Sequence, residues 1–215
     1  MARHSNMLER TPVPRSVLLM VLLVFVLIPL TACTGVLESN KPAREIYLLQ
    51  PPASSPQTPA PEAPKLVLSL TTVPGLDTDN IQVLSPNARL IPVANAHWPD
   101  NLPEVMSSLS RRSLVDSGAF SAVTLNDLAR PGDWQLQLEL QVFYGIQDSA
   151  GATTSVRMQM EGNIRCGDQG DVFRLESVEN VGTDSLAALV AAHQRALDEN
   201  LQDLPGRIGQ ICSSD

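Results

Sequence analysis

Residues Trp134 to Ile146 constrain this chain more than any other stretch. Trp134, Leu136, Leu138, Leu140, Val142, Tyr144 and Ile146 alternate with Gln135, Gln137, Glu139 and Gln141. Side chains on a strand point to opposite faces with a period of two, so the spacing predicts one long strand, covered on one face and largely in water on the other. Asp148-Ser149-Ala150-Gly151 turns the chain, and Val156, Met158, Met160, Ile164 and Cys166 resume the inward face against Arg157, Gln159, Glu161 and Arg165. A second tight turn, Gly167 to Gly170, leads into Val172–Val178. Together these segments predict a three-stranded antiparallel meander with one apolar face to cover.

Two helical patterns can cover it. Asn101 reads as an N-cap, with Pro103 in the first turn and Glu104 three residues after the cap. Leu102, Val105, Met106 and Leu109 then fall on one face, and Gly118 closes the helix as a left-handed cap. The second helix runs from about Ser185 to Leu204 on a stripe of Leu186, Leu189, Val190, His193, Leu197, Leu201 and Leu204, stopped by Pro205-Gly206. Shorter strands precede both: Ile46–Leu49, Lys65–Val73, Ile81–Leu84 and Arg89–Val93. These elements predict an α+β two-layer sandwich, a mostly antiparallel sheet with both amphipathic helices on one face.

The N-terminus carries a different message. Arg3, His4, Arg10 and Arg15 precede an apolar run from Val17 to Ile28, followed by Pro29 and Leu30. The run falls short of the roughly 20 apolar residues that span a bilayer but suits the core of a secretory leader. It ends in Leu30-Thr31-Ala32-Cys33, the spelling of a bacterial lipobox. Small side chains admit the signal peptidase between Ala32 and Cys33, and the Cys33 thiol takes the diacylglyceryl group. The alternative is an N-terminal membrane helix that happens to end in cysteine. On the lipobox reading residues 1–32 are a leader, 33–45 a lipidated tether and 46–212 a single domain, with a stiff Pro-rich loop at 51–64.

The leader holds three of the 15 Lys+Arg and one of the 23 Asp+Glu, which leaves 12 against 22, a net charge of −10. Such a chain is repelled by phosphate and anionic lipid, which argues against nucleic acid as a partner and leaves covalent lipid to hold it on a membrane. With Cys33 lipidated, Cys166 and Cys212 remain as an even pair in an oxidising compartment, either bridged or as two free thiols. No nucleophile elbow, zinc-protease helix, phosphate-cradling loop or CxxC occurs. His97 and His193 stand too far apart in sequence for a helix-face metal site, so the expectation is no enzyme, no metal and no cofactor. His193, on an apolar stripe, reads as a core or interface histidine.

Two local features behind the lipobox, in this order of elements, resemble the auxiliary lipoproteins of ABC-type transport systems. The best-known branch of that family is the paraquat-inducible protein C-like outer-membrane lipoproteins. One feature is an early Tyr-x-Leu strand, here Tyr47-Leu48-Leu49; the other is a His-Trp element before the first helix, here His97-Trp98. The long strand, its hairpin and the C-terminal helix follow in the family's order, although the 51–64 loop is longer than usual and the cysteine pair is no hallmark. The resemblance implies a non-enzymatic accessory of a lipid-transport system, docking a cell-entry-type periplasmic protein at the outer membrane. A homo-oligomer fits that role, and Thr34 after the lipidated cysteine fits outer-membrane sorting. Other readings are an activator of a cell-wall synthase and a lipid carrier with a cavity between helices and sheet. Trp98 either packs at the helix start or faces a partner as an aromatic anchor.

Overall fold

The computed structural model describes residues 43–53 and 55–213. Ala32, Cys33 and the tether as far as residue 42 lie outside the described residues. Eight strands form one mixed sheet: β1 (Glu45–Ile46), β2 (Lys65–Thr72), β3 (Asn80–Leu84), β4 (Leu90–His97), β5 (Ala122–Leu125), β6 (Trp134–Gln147), β7 (Thr153–Cys166) and β8 (Gln169–Asn180). Helix α1 (Leu102–Asp116) follows β4, and α2 (Leu186–Cys212) follows β8. The architecture is α+β, as the sequence pattern predicts.

The antiparallel meander β6-β7-β8 is the backbone of the sheet, running in unbroken register from Ser155↔Asn180 to Cys166↔Gln169 between its last two strands. The other edge of β6 is shared. Its first half pairs in parallel with β2, from Leu66↔Trp134 to Thr72↔Leu140, and its far end pairs in parallel with β3 at Val83↔Gly145. The sheet therefore forks, with β5 beyond β2 and with β4 then β1 beyond β3. Strand β5 has no counterpart in the sequence reading, being only four residues long with Leu125 exposed.

The β6 alternation holds only as far as Leu140. A bulge between Leu140 and Val142 reverses the phase, so that Phe143 and Gly145 turn inward while Val142, Tyr144 and Ile146 are only half-buried. One extra residue in a strand has this effect because side chains alternate singly. Phe143 thereby enters the core at 2% exposure. In β7, whose extra residue against β6, Thr154, comes before the apolar run, Val156, Met158, Met160, Ile164 and Cys166 are all buried as their spacing predicts.

Helix α1 buries Leu102, Val105, Met106 and Leu109. Asn101 stands at its N-cap position without a side-chain cap bond, and the carbonyl of Asn101 accepts from the amides of Glu104 and Val105. Beyond the helix Gly118 has φ +67°, and a side chain there would collide with Gln57. The Pro-rich loop passes at that point, and the Gln57 amide donates to the Asp116 carbonyl (3.0 Å).

Helix α2 departs from the sequence reading, because it continues through Pro205 to Cys212. Proline has no N–H to give the carbonyl four residues back, here Leu201. Ser113 on α1 supplies the missing donor, its Oγ lying 3.1 Å from that carbonyl in the buried space between the helices. The extra two turns bring Cys212 to Cys166 at the end of β7, where the two are disulfide-bonded with their Cα atoms 5.9 Å apart.

Candidate functional site

The two motif segments, Tyr47–Leu49 and His97-Trp98, lie far apart in sequence and come together where the N-terminal strand joins the end of β4. Strand β1 runs parallel to the end of β4, with Glu45↔Ala96 and Ile46↔His97 in register. Ladder pairing stops there, shorter than the expected Ile46–Leu49 strand, but the Tyr47 amide still donates to the His97 carbonyl (2.8 Å). On the other side of β4 the Trp98 amide donates to the Asp79 carbonyl (2.7 Å), and the Leu102 amide to that of Thr78 (3.1 Å). The His-Trp element is thus held by backbone bonds from two directions at the point where β4 hands over to α1.

Alternation sorts the N-terminal segment into two faces. Tyr47 is half-buried and Leu49 buried, whereas Ile46 and Leu48 are 59% and 63% exposed. The segment is tied down further along by a reciprocal pair on α2. The Gln50 amide donates to Gln194 Oε1 (2.8 Å), and Gln194 Nε2 donates to the Gln50 carbonyl (2.9 Å). Gln194 also donates to Asp198 (2.8 Å), whose carboxyl is pushed up by burial, with that hydrogen bond opposing the shift.

Trp98 turns inward. Its ring is 2% exposed and lies 5.9 Å from that of Phe143 and 5.4 Å, edge-on, from that of His193. Phe143 and His193 meet edge-on at 4.8 Å. Edge-to-face geometry of this kind adds to the apolar burial that aromatic rings supply. His193 is completely buried, its Nδ1 2.9 Å from the Leu189 carbonyl and its Nε2 without a partner. Burial pushes its pKa down to about 4, against a smaller upward pull from the Leu189 bond, so the ring is neutral at neutral pH. Trp98 therefore packs in the core and His193 is a core histidine.

His97 faces the other way, into a polar cluster. Arg44 forms an ion pair with Asp79 and also donates from Nη2 to His97 Nδ1 (3.2 Å). Asp79 Oδ1 lies 3.6 Å from the same nitrogen. The His97 pKa is lowered, mainly by desolvation and then by the Arg44 charge. Tyr47 donates its hydroxyl to Glu45, which raises the phenol's pKa. No nucleophile, activated base or oxyanion cradle lies in this cluster, and among the described residues no three His, Cys, Asp or Glu side chains gather to hold a metal. What it can do is clamp the start of the domain to the β3–β4 hairpin.

Sequence reasoning missed Arg44, Asp79, Phe143 and Gln194. Only Phe143 left a signal, as an aromatic followed by Gly145 in the polar phase of β6.

The family of ABC-type transport auxiliary lipoprotein components matches residues 47–204. The chain belongs to this family. The match begins at Tyr47, takes in every element from β2 to β8, and ends in α2 at Leu204, one residue before Pro205. This is a family of transport components rather than of enzymes. Solved structures share the fold of this auxiliary lipoprotein at low sequence identity. A crystal structure of an uncharacterised protein superposes with a TM-score of 0.64 at 11% identity, covering 78% of this chain and 99% of the other. Protein XCC0632 from Xanthomonas campestris, of the DUF330 family, gives a TM-score of 0.59 at 19% identity, covering 80% and 100%. No match is found among curated proteins.

Proposed function

We propose that this auxiliary lipoprotein docks the periplasmic end of a lipid-transport bridge at the outer membrane, held there by lipid on Cys33. Family membership supplies the transport system. The observation that carries docking, rather than carrying, is the filled space between helices and sheet. Trp98, Met106, Leu114, Leu136, Leu140, Met158, Met160 and Ile164 are all buried there at 2% exposure or less. A carrier of acyl chains needs that volume for its cargo, as apolar ligands occupy enclosed, apolar-lined space. The partner is a cell-entry-type periplasmic protein, and the contact surfaces are strand edges, loops and the open sheet face. Cleavage between Ala32 and Cys33 frees the anchor residue, and Thr34 beside it suits release to the outer membrane.

Cross-linking from intact envelopes followed by affinity recovery of the lipoprotein tests this. Recovery of a cell-entry-type protein, with outer-membrane integrity falling on deletion, is the expected result. Recovery of a cell-wall synthase alone, with synthase activity falling on deletion, replaces the reading with that of a synthase activator.

A further inference from the structure

Strand β8 ends the sheet. Among the described residues β7 is the only strand that pairs with it, so the outer edge of β8 has no strand beside it; toward its ends the Val172 amide donates to Asp171 Oδ1 (2.8 Å) and Arg195 donates to the Asn180 carbonyl (2.6 Å). An edge with no strand beside it is a template for another strand. On its open face the side chains run Val172, Arg174, Glu176, Val178, and the two valines are 54% and 59% exposed.

That order is complementary to its own reverse about Leu175: apolar, basic, acidic, apolar. Two copies laid antiparallel, edge to edge, on a two-fold axis through Leu175 set Val172 opposite Val178 twice and Arg174 opposite Glu176 twice. Residues directly opposed in an antiparallel pair share a face, with Cβ atoms about 4.5–5.5 Å apart. The charges also match what each copy already contains, since Arg174 pairs with Glu161 (3.5 Å) and Glu176 with Arg157 (2.6 Å). Across the junction the row therefore reads Glu161, Arg174, then Glu176 and Arg157 of the second copy, alternating in sign throughout. Moving the axis to Arg174 or Glu176 opposes like charges instead, so register is specified. Asp171 falls opposite Glu179, whose charge Arg195 holds within its own chain (2.7 Å).

We propose that β8 is an interface between two copies of this chain, joined edge to edge about a two-fold axis at Leu175. The contact is isologous, so it closes at two copies and leaves no edge of β8 free. It does not depend on the docking reading above.

The test uses the full-length lipoprotein in its envelope, with Val172→Cys and Val178→Cys made singly and together. Under mild oxidation the double variant gives a band of twice the mass on non-reducing gels, with a peptide joining positions 172 and 178. Each single variant gives at least five-fold less, because neither position faces itself. In detergent, light scattering on Arg174→Glu and on Glu176→Arg shows a dimer fraction at least five-fold lower, and the double reversal restores it to within two-fold. Circular dichroism on each variant reports folding. Absence of the 172–178 peptide in the folded double variant overturns the proposal. So does a single-cysteine variant that cross-links as well as the double, or a double reversal that stays monomeric.

Discussion

Ser113 offers a direct measure of how helix α2 survives its proline. The Ser113 hydroxyl donates to the Leu201 carbonyl at 3.1 Å in a buried setting, and Pro205 has no N–H for that carbonyl. Ser113→Ala leaves a buried acceptor without its side-chain donor, which costs about 1–3 kcal/mol. Alanine returns about 0.5 kcal/mol of helix propensity, so the expected net loss is about 0.5–2.5 kcal/mol. For a domain of this size that lowers the melting temperature by about 1–10 °C, at about 2–4 °C per kcal/mol. The decisive measurement is a double-mutant cycle by urea unfolding with Pro205→Ala. Alanine at 205 gives back the backbone N–H, so in that background Ser113→Ala costs under about 0.5 kcal/mol and the coupling is about 1 kcal/mol. Equal costs of Ser113→Ala in both backgrounds refute the claim that Ser113 replaces the proline's missing donor.

Two further outcomes rest on the structure and one on the sequence of the leader. Replacing both Cys166 and Cys212 by serine removes the bond across 46 residues and lowers stability by about 4 kcal/mol in the chain-entropy model; free alkylation of both thiols in protein from the periplasm counts against the bond. His193, with its pKa near 4 in the fold and about 6.5 in the unfolded chain, binds a proton first in the unfolded state. Stability is therefore full above pH 6.5, falls as pH drops toward 4 and then levels, and His193→Gln flattens that part of the unfolding-versus-pH curve; an unchanged slope rejects the assignment. Cys33→Ala leaves the chain unprocessed or soluble on envelope fractionation, and a mutant that remains processed and membrane-bound refutes the anchor.

Local rules were enough for much of the fold. Strand β7 and the buried face of α1 follow from spacing alone, because the extra residue Thr154 precedes the buried run of β7 and Pro103 sits in the first turn of α1. Strand β6 was legible only to Leu140. A bulge is a matter of register against a neighbour, and its sequence trace is a single phase change at Phe143. The end of α2 was hidden for a similar reason, since the donor that carries the helix past Pro205 sits on another helix, 88 positions before Leu201. The parallel attachment of β2 and β3 to one edge of β6 depends on which short strand finds which half of a long one, and no periodicity encodes that. Of the site, Tyr47, Leu49, His97 and Trp98 were legible as motif residues. Their partners Arg44, Asp79 and Gln194 become visible only when the chain is folded.

Those partners give the motif a mechanical meaning. On the proposed reading the lipid pulls on this domain through one covalent path, the chain entering at residue 43. A load arriving there meets, in order, the Arg44–Asp79 ion pair, the β1–β4 ladder, the Tyr47–His97 backbone bond and the reciprocal Gln50–Gln194 pair. An exposed ion pair alone contributes about 0–1 kcal/mol, too little to hold an edge strand of two residues. The clamp works because its later members reach α2, which the disulfide, the Ser113 bond and the Trp98–Phe143–His193 contacts tie to the sheet and to α1. Trp98 accordingly acts from inside: it fixes the β4–α1 junction to which β1 is bonded, so the tether pulls on the core as a whole rather than peeling its first strand away.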